Sequence, residues 1–330
     1  MMPSRRRLLA LAAAAPLARA RAEESRPQVV AFANVADDPG TRIEGTGFTG
    51  ADVRESFSLA ARRKPIDLIF YDNALDRATA LANARDAVAR EADVFIQYGW
   101  DESVNGDVGH VLAGAEIPAL AVGQPMAGAP LYAADNAAAG RIAGEALARH
   151  AAANWPDRSV LAVIIGPPND PAGRLAERAR AIAASLKPAA DPARLDTQGN
   201  PQKAEALLRT FLGAHAGQKV LVAALDDATA LAAKAAVGGA NRSADVVVVG
   251  QGCDHSVHGN ASDKRELDPV NRGSILLGSV GFFLDRYGYD ILPLAMNLAA
   301  RRPVAALTTT QHRLVTPANA FVIYPPSDIN

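Results

Sequence analysis

Short, uninterrupted apolar runs rich in Val, Ile and Ala recur along the chain at residues 29–35, 66–71, 94–98, 119–122, 160–165, 220–224 and 246–249. Their length suits strands, and the lack of polar alternation predicts strands covered on both faces. Between them lie stretches with helical spacing, at 52–63, 78–91, 137–151, 171–186, 201–214 and 228–237. Asp227 ahead of Ala228 and the pair Asp170-Pro171 have the residue types that start helices. A βαβα order of this kind predicts an α/β fold with doubly wound parallel sheets and right-handed crossovers. At 330 residues the chain exceeds what one core ordinarily supports, so two such lobes are expected.

In open parallel sheets, ligands bind beyond the carboxyl ends of the strands. The residues there are Asn34, Asp37 and Asp38; Tyr71, Asp72 and Asn73; Gln97, Tyr98, Trp100 and Asp101; Gln124; Asn169, Asp170 and Arg174; Asp226 and Asp227; Gln251 and Asp254. Any one of them also suits a turn or a helix cap, where Asp and Asn are favoured for local reasons. Together they form a set rich in amides and acids and poor in cations, which suits a neutral polyhydroxylated small molecule.

The first 22 residues carry a basic cluster, Arg5-Arg6-Arg7, then an apolar run and the small-residue sequence Ala20-Arg21-Ala22. That is the pattern of a cleavable export signal, and Ser4 to Leu9 also fits the twin-arginine variant. Export to the periplasm is therefore expected. Cleavage removes five arginines and no acid, taking the formal charge from −1 to −6. A mildly acidic protein argues against a nucleic-acid partner. Beyond the signal no apolar stretch reaches membrane-spanning length, so the mature chain is not expected to be embedded. Cys253 is the only cysteine, so no internal disulfide forms and packing must stabilise the fold.

Two motifs invite chemistry. Gly45-Thr46-Gly47-Phe48-Thr49-Gly50 spells GxGxxG, but the expected strand ends ten residues earlier, whereas a dinucleotide turn leaves its strand directly. A loop over the mouth of a cleft is the better account, and no cofactor is expected. Cys253-Asp254-His255-Ser256-Val257-His258 groups possible ligands, with His255 and His258 able to share a helical turn, yet no second ligand pair stands at zinc-like spacing. No metal is assigned. GxxxxGK[ST], HExxH and GxSxG do not occur, and no catalytic residue is expected.

The segment Tyr132-Ala-Ala-Asp135-Asn136-Ala-Ala-Ala-Gly140 resembles the entry to the second lobe of type I periplasmic sugar-binding proteins, the ribose-binding-like family. Asp226-Asp227 before a helix, Gly250-Gln251 after a strand, and the stretches from Tyr287-Gly288 to Leu298 and from Leu314 to Asn319 are similar to further family segments. The resemblance implies residues 23–133 plus 282–311 as an N-terminal lobe and 134–281 plus 312–330 as a C-terminal lobe, with crossings near Ala133, Gly281 and Gln311. It implies a monomeric solute receptor for an ABC importer, closing on a sugar or related polar molecule and engaging a membrane permease. Arg174 would fork onto ligand oxygens, and Asp226, Gln251 and Asp254 would accept from hydroxyls. The remaining ligand contacts would be Asn34, Asp38, Gln124, Trp100 and Phe282. A sensory module for a chemoreceptor or histidine kinase, and an exported nucleotide-dependent enzyme, are the alternative readings.

Overall fold

The structure is a computed structural model and describes residues 26–167, 173–186, 191–259 and 265–325. The expected export signal (residues 1–22) and the expected Asp170-Pro171 cap lie outside the described residues. Two six-stranded sheets organise the chain. The first contains β1 (Gln28–Asn34), β2 (Ile66–Asp72), β3 (Val94–Tyr98), β4 (Ala119–Val122), β5 (Leu131–Ala133) and β11 (Leu307–Thr309), in the order β11-β5-β4-β3-β1-β2. The second contains β6 (Val160–Gly166), β7 (Ala193–Asp196), β8 (Lys219–Ala224), β9 (Val246–Gly252), β10 (Leu276–Gly281) and β12 (Arg313–Val315), in the order β12-β10-β9-β8-β6-β7. All pairings are parallel except β10 with β12. This is the doubly wound α/β architecture expected from the apolar runs.

The runs form strands because nearly every residue in β1, β3, β6, β8 and β9 is buried, with successive side chains feeding opposite faces. Val247 and Val249 enter an apolar cluster that also holds residues of the first lobe, whereas Val246 and Val248 enter a separate cluster on the outer face. Helices α1 (Gly50–Ala61), α2 (Arg77–Ala89) and α3 (Glu102–Gly114) connect the first strands. Helices α4 (Asn136–Asn154), α5 (Arg174–Ser185), α6 (Gln202–Ala214), α7 (Asp227–Gly239) and the single turn α8 (His255–His258) serve the second sheet. Helix α9 (Tyr287–Ala299) packs back on α1 and β3, and α10 (Ala320–Ile323) closes the described chain. The chain thus passes between sheets after β5, after β10 and between β11 and β12. No described helix is long and apolar enough to cross a membrane.

One helix–helix contact positions a guanidinium at the cleft. A Cβ on Gly140 of α4 would sit 2.2 Å from the Arg178 carbonyl oxygen, so only glycine lets α4 and α5 approach this closely. Leu175, Arg178, Ala179 and Ile182 form the buried face of α5. A guanidinium on that face must find internal partners, because burying an unpaired charge is prohibitive.

Candidate functional site

Between the carboxyl ends of the two sheets lies a cavity of about 790 Å³. Arg42, Gly45, Thr46, Gly47, Thr49 and Asp52 form its first-lobe wall; Pro167, Leu175, Gly199, Asp226, Asp254, His255 and Ser256 are among those forming the other. Its volume falls in the range of small-molecule sites.

The second-lobe wall is built from short strand-to-helix turns. Asp226 is the N-cap of α7, its two oxygens accepting from the Thr229 backbone N–H at 2.7 Å and the Thr229 hydroxyl at 2.9 Å. Burial raises its pKa above the ordinary carboxylate value, and Asp254 nearby adds to the rise, against the lowering effect of the Thr229 bonds. Asp227, expected to be the cap, is instead the first helical residue and fully buried. Its oxygens accept from the Ser279 hydroxyl at 2.5 Å and the Asp254 N–H at 3.0 Å, so it braces the loop after β9. Burial and the Asp254 carboxylate push its pKa well up. The preceding residue has the extended φ and ψ of a cap, and this backbone geometry decides between two adjacent aspartates. Asp254 caps α8 through Ser256 N–H and accepts from Gly47 N–H of the other lobe at 2.8 Å.

The first-lobe wall is one long segment, residues 35–49, between β1 and α1. Asn34 ties it down by donating to Asp37 at 2.7 Å and to the Gly50 carbonyl at 2.8 Å. The segment doubles back through Ile43 N–H to Phe48 O and Thr46 N–H to Ile43 O. At its tip Glu44 and Gly45 both have positive φ, 53° and 61°. For glutamate that conformation costs about 1 kcal/mol, so tertiary contacts must hold it. Those contacts are concentrated there. The Glu44 carboxylate, 2% exposed as a residue, accepts from the Tyr98 hydroxyl at 3.1 Å and pairs with Arg174 Nη1 at 3.1 Å. Arg178 donates to the Glu44 carbonyl at 2.9 Å, the Gly45 carbonyl at 3.2 Å, the Leu225 carbonyl at 2.9 Å and Asn136 Oδ1 at 2.8 Å. Its guanidinium lies 4.3 Å from the centre of the Phe282 ring. Further out, His255 Nε2 meets Asp52 Oδ1 at 3.0 Å, and Phe48 sets its ring edge-on to His255 at 5.7 Å. The GxGxxG segment and the His255 cluster are therefore two halves of one contact across the cleft.

Of the residues expected from the sequence, Asp226 and Asp254 line the cavity. Arg174 faces Glu44, and Phe282 is buried beneath Arg178. Gln251 is fully buried, and its amide oxygen and nitrogen find no hydrogen-bond partner among the described residues. The other four are placed elsewhere. Asn34 is committed to its own loop, and exposed Asp38 forms a turn with Thr41 at 3.1 Å. Half-buried Trp100 packs against two apolar clusters that flank the first sheet, one of them shared with the second, and the Gln124 carbonyl accepts from Asn105 at 2.9 Å. The 35–49 segment stands between these strand ends and the cavity. His258 does not join His255 in a cation site; it stacks on Tyr324 at 3.9 Å, and burial pushes its pKa down to about 3. Glu44 and Arg178 are not among the residues expected from the sequence. For Arg178 a signal existed, a charge at i+4 from Arg174 on the apolar stripe of an amphipathic helix; for Glu44, within a glycine-rich loop, none did.

No curated relative matches the chain by sequence. Solved structures with this architecture do. An ABC transporter solute-binding protein from Mycobacterium smegmatis with bound glycerol aligns at a TM-score of 0.66 and 19% identity, over 90% of this chain and 96% of its own. One from Bacillus halodurans with bound myo-inositol aligns at 0.62 and 18%, over 91% and 98%. One from Agrobacterium vitis with bound allitol aligns at 0.61 and 14%, over 90% and 98%. At these identities the likeness establishes the fold. The sequence profile described as periplasmic binding protein domain matches residues 44–264, more than half of the 330 residues, and with the two parallel-sheet lobes it shows that the chain belongs to the type I periplasmic binding protein family.

Proposed function

We propose that this protein is the exported receptor of an ABC importer, and that it holds a sugar or polyol-like solute between its lobes until a membrane permease accepts it. The observation that carries the reading is the inter-lobe cavity at the strand ends, with Asp226 and Asp254 from one lobe and Thr46 and Asp52 from the other on its wall. Carboxylates and hydroxyls facing one another across a closable gap accept from and donate to a polyhydroxylated guest, which then links the lobes. Family membership and solved neighbours with bound glycerol, myo-inositol and allitol point the same way.

The test is a thermal-shift screen of the purified chain against sugars, polyols, nucleosides and nucleotides. A solute that binds only the native state raises its apparent stability by about 2.7 kcal/mol at one hundred times its Kd. Stabilisation by a sugar or polyol, lost in Asp226→Ala, is the expected result. Stabilisation by nucleotides alone would sink the proposal.

A further inference from the structure

Resting on that reading, the cleft geometry points to the chemical class of the solute: we propose that it is a polyhydroxylated molecule bearing a carboxylate, and that Glu44 occupies the position this carboxylate takes. The strand-end residues taken alone suit a neutral guest. Folding adds Arg42 to the cavity wall and sets Arg174, one of those strand-end residues, against a carboxylate that the chain itself supplies, while Arg178 holds the backbone carbonyl of the same residue.

The Glu44 side chain is held in the manner of an acidic ligand. One oxygen accepts from a fully buried phenol, the other from a guanidinium of the opposite lobe. Burial and the Glu44 carboxylate hold the Tyr98 phenol well above its ordinary pKa, so it remains a donor. A Cβ on Gly123 would lie 3.1 Å from Glu44 Oε1, which puts the carboxylate directly above the end of β4, where an open parallel sheet receives its ligand. Charge-assisted bonds of this kind are the strong, geometrically selective ones.

The side chain can leave without unravelling the wall. Arg178 grips the backbone carbonyls of Glu44 and Gly45, and Gly47 N–H is anchored on Asp254; neither contact uses the Glu44 carboxylate. Gly45 and Leu175, the neighbours of Glu44 and Arg174, line the cavity, so its wall adjoins the pair. A guest acid taking over Tyr98 and Arg174 replaces one carboxylate with another, which a neutral hydroxyl does not. Asp226 and Asp254 then accept from the hydroxyls at the far end.

Titration calorimetry of the full chain with glucuronate, galacturonate and gluconate, each beside its neutral parent glucose, galactose and sorbitol, tests this. At least one acid is expected to bind at least about tenfold tighter than its parent. Glu44→Ala and Glu44→Gln are expected to tighten that acid several-fold by removing the internal competitor, and Tyr98→Phe to weaken it about tenfold. Neutral parents binding as tightly as the acids, or acid affinity unchanged or reduced in both Glu44 variants, overturns this proposal and leaves the importer reading standing. Failure of acids and neutral solutes alike overturns both.

Discussion

The two walls of the cleft are made in opposite ways. On the second lobe, two residues separate β8 from α7 and two separate β9 from α8, so a side chain just past the strand end is delivered to the cavity. On the first lobe, residues 35–49 separate β1 from α1, and this segment folds over the strand ends and becomes the wall itself. The rule that ligands meet residues beyond the strands therefore holds where the connection is too short to do anything else. A long connection has its own internal bonds, and they decide what faces the ligand.

Removing Arg178, where both walls meet, should have the largest effect. Arg178→Ala strips hydrogen bonds from the Glu44, Gly45 and Leu225 carbonyls and from Asn136, leaving buried acceptors unpaired. A loss of about 3 kcal/mol in urea unfolding is expected. A loss below about 1 kcal/mol would show that the segment does not depend on the second lobe.

Next comes Gly47→Ala. The new Cβ would stand 2.1 Å from Asp254 Oδ2, so the segment must lift or the α8 cap must shift. About 1 to 2 kcal/mol of destabilisation is expected, with faster proteolysis within residues 35–49. An unchanged digestion pattern would mean that Asp254 alone gives way.

A pair of substitutions sharpens the contrast directly. Asp226→Ala on the short-loop wall should cost about 1 kcal/mol as a lost helix cap and abolish stabilisation by the bound solute. Asp38→Ala on the long-loop wall, exposed and, among the described residues, bonded only within its own turn, should stay within about 0.5 kcal/mol with solute binding intact. Equal solute effects in both variants would erase the distinction between the walls.

The smallest effect is the bridge between His255 and Asp52. The Asp52 hydrogen bond raises the His255 pKa above 6.5 despite burial. For Asp52, burial favours a rise, but the bonds from His255 and Thr49 outweigh it and the pKa falls below 3.8. The histidine contribution is complete below its ordinary pKa and fades as pH rises through the raised one. The aspartate contribution is present above its ordinary pKa and fades as pH falls through the lowered one. The bridge is therefore strongest between about pH 4 and 6.5 and weakens toward alkaline pH. With His255 partly exposed, about 0.5 kcal/mol is expected. Comparing urea midpoints of the native chain and His255→Gln at about pH 5.5 and about pH 8.5 checks it. A gap between the two proteins that does not narrow at the higher pH contradicts the assignment.

Much of the scaffold was legible in the sequence. Continuous apolar runs cannot be solvent-facing strands, and the expected run at 246–249 lies within β9, buried on both sides. The short strands β5, β7, β11 and β12 were not legible, because each is three or four residues, most with a polar member, that do not stand out as an apolar run and exist by pairing with a neighbour. In the site, Asp226 and Asp254 were readable from their place after a strand. Asp38 and Asn34 had the same signature and serve a turn and a loop anchor instead.

Hydrophobic order along the chain determined the layered α/β lobes and the polar character of the strand ends, because burial of apolar surface is non-directional and needs only the right residues at the right period. Which polar groups meet across the cleft was decided by tertiary structure alone. Arg178 reaches the Glu44 carbonyl across 134 positions of sequence, and the Gly47 to Asp254 bond spans 207. Hydrogen bonds are directional and short-ranged, so they form only once packing has set the two lobes in register.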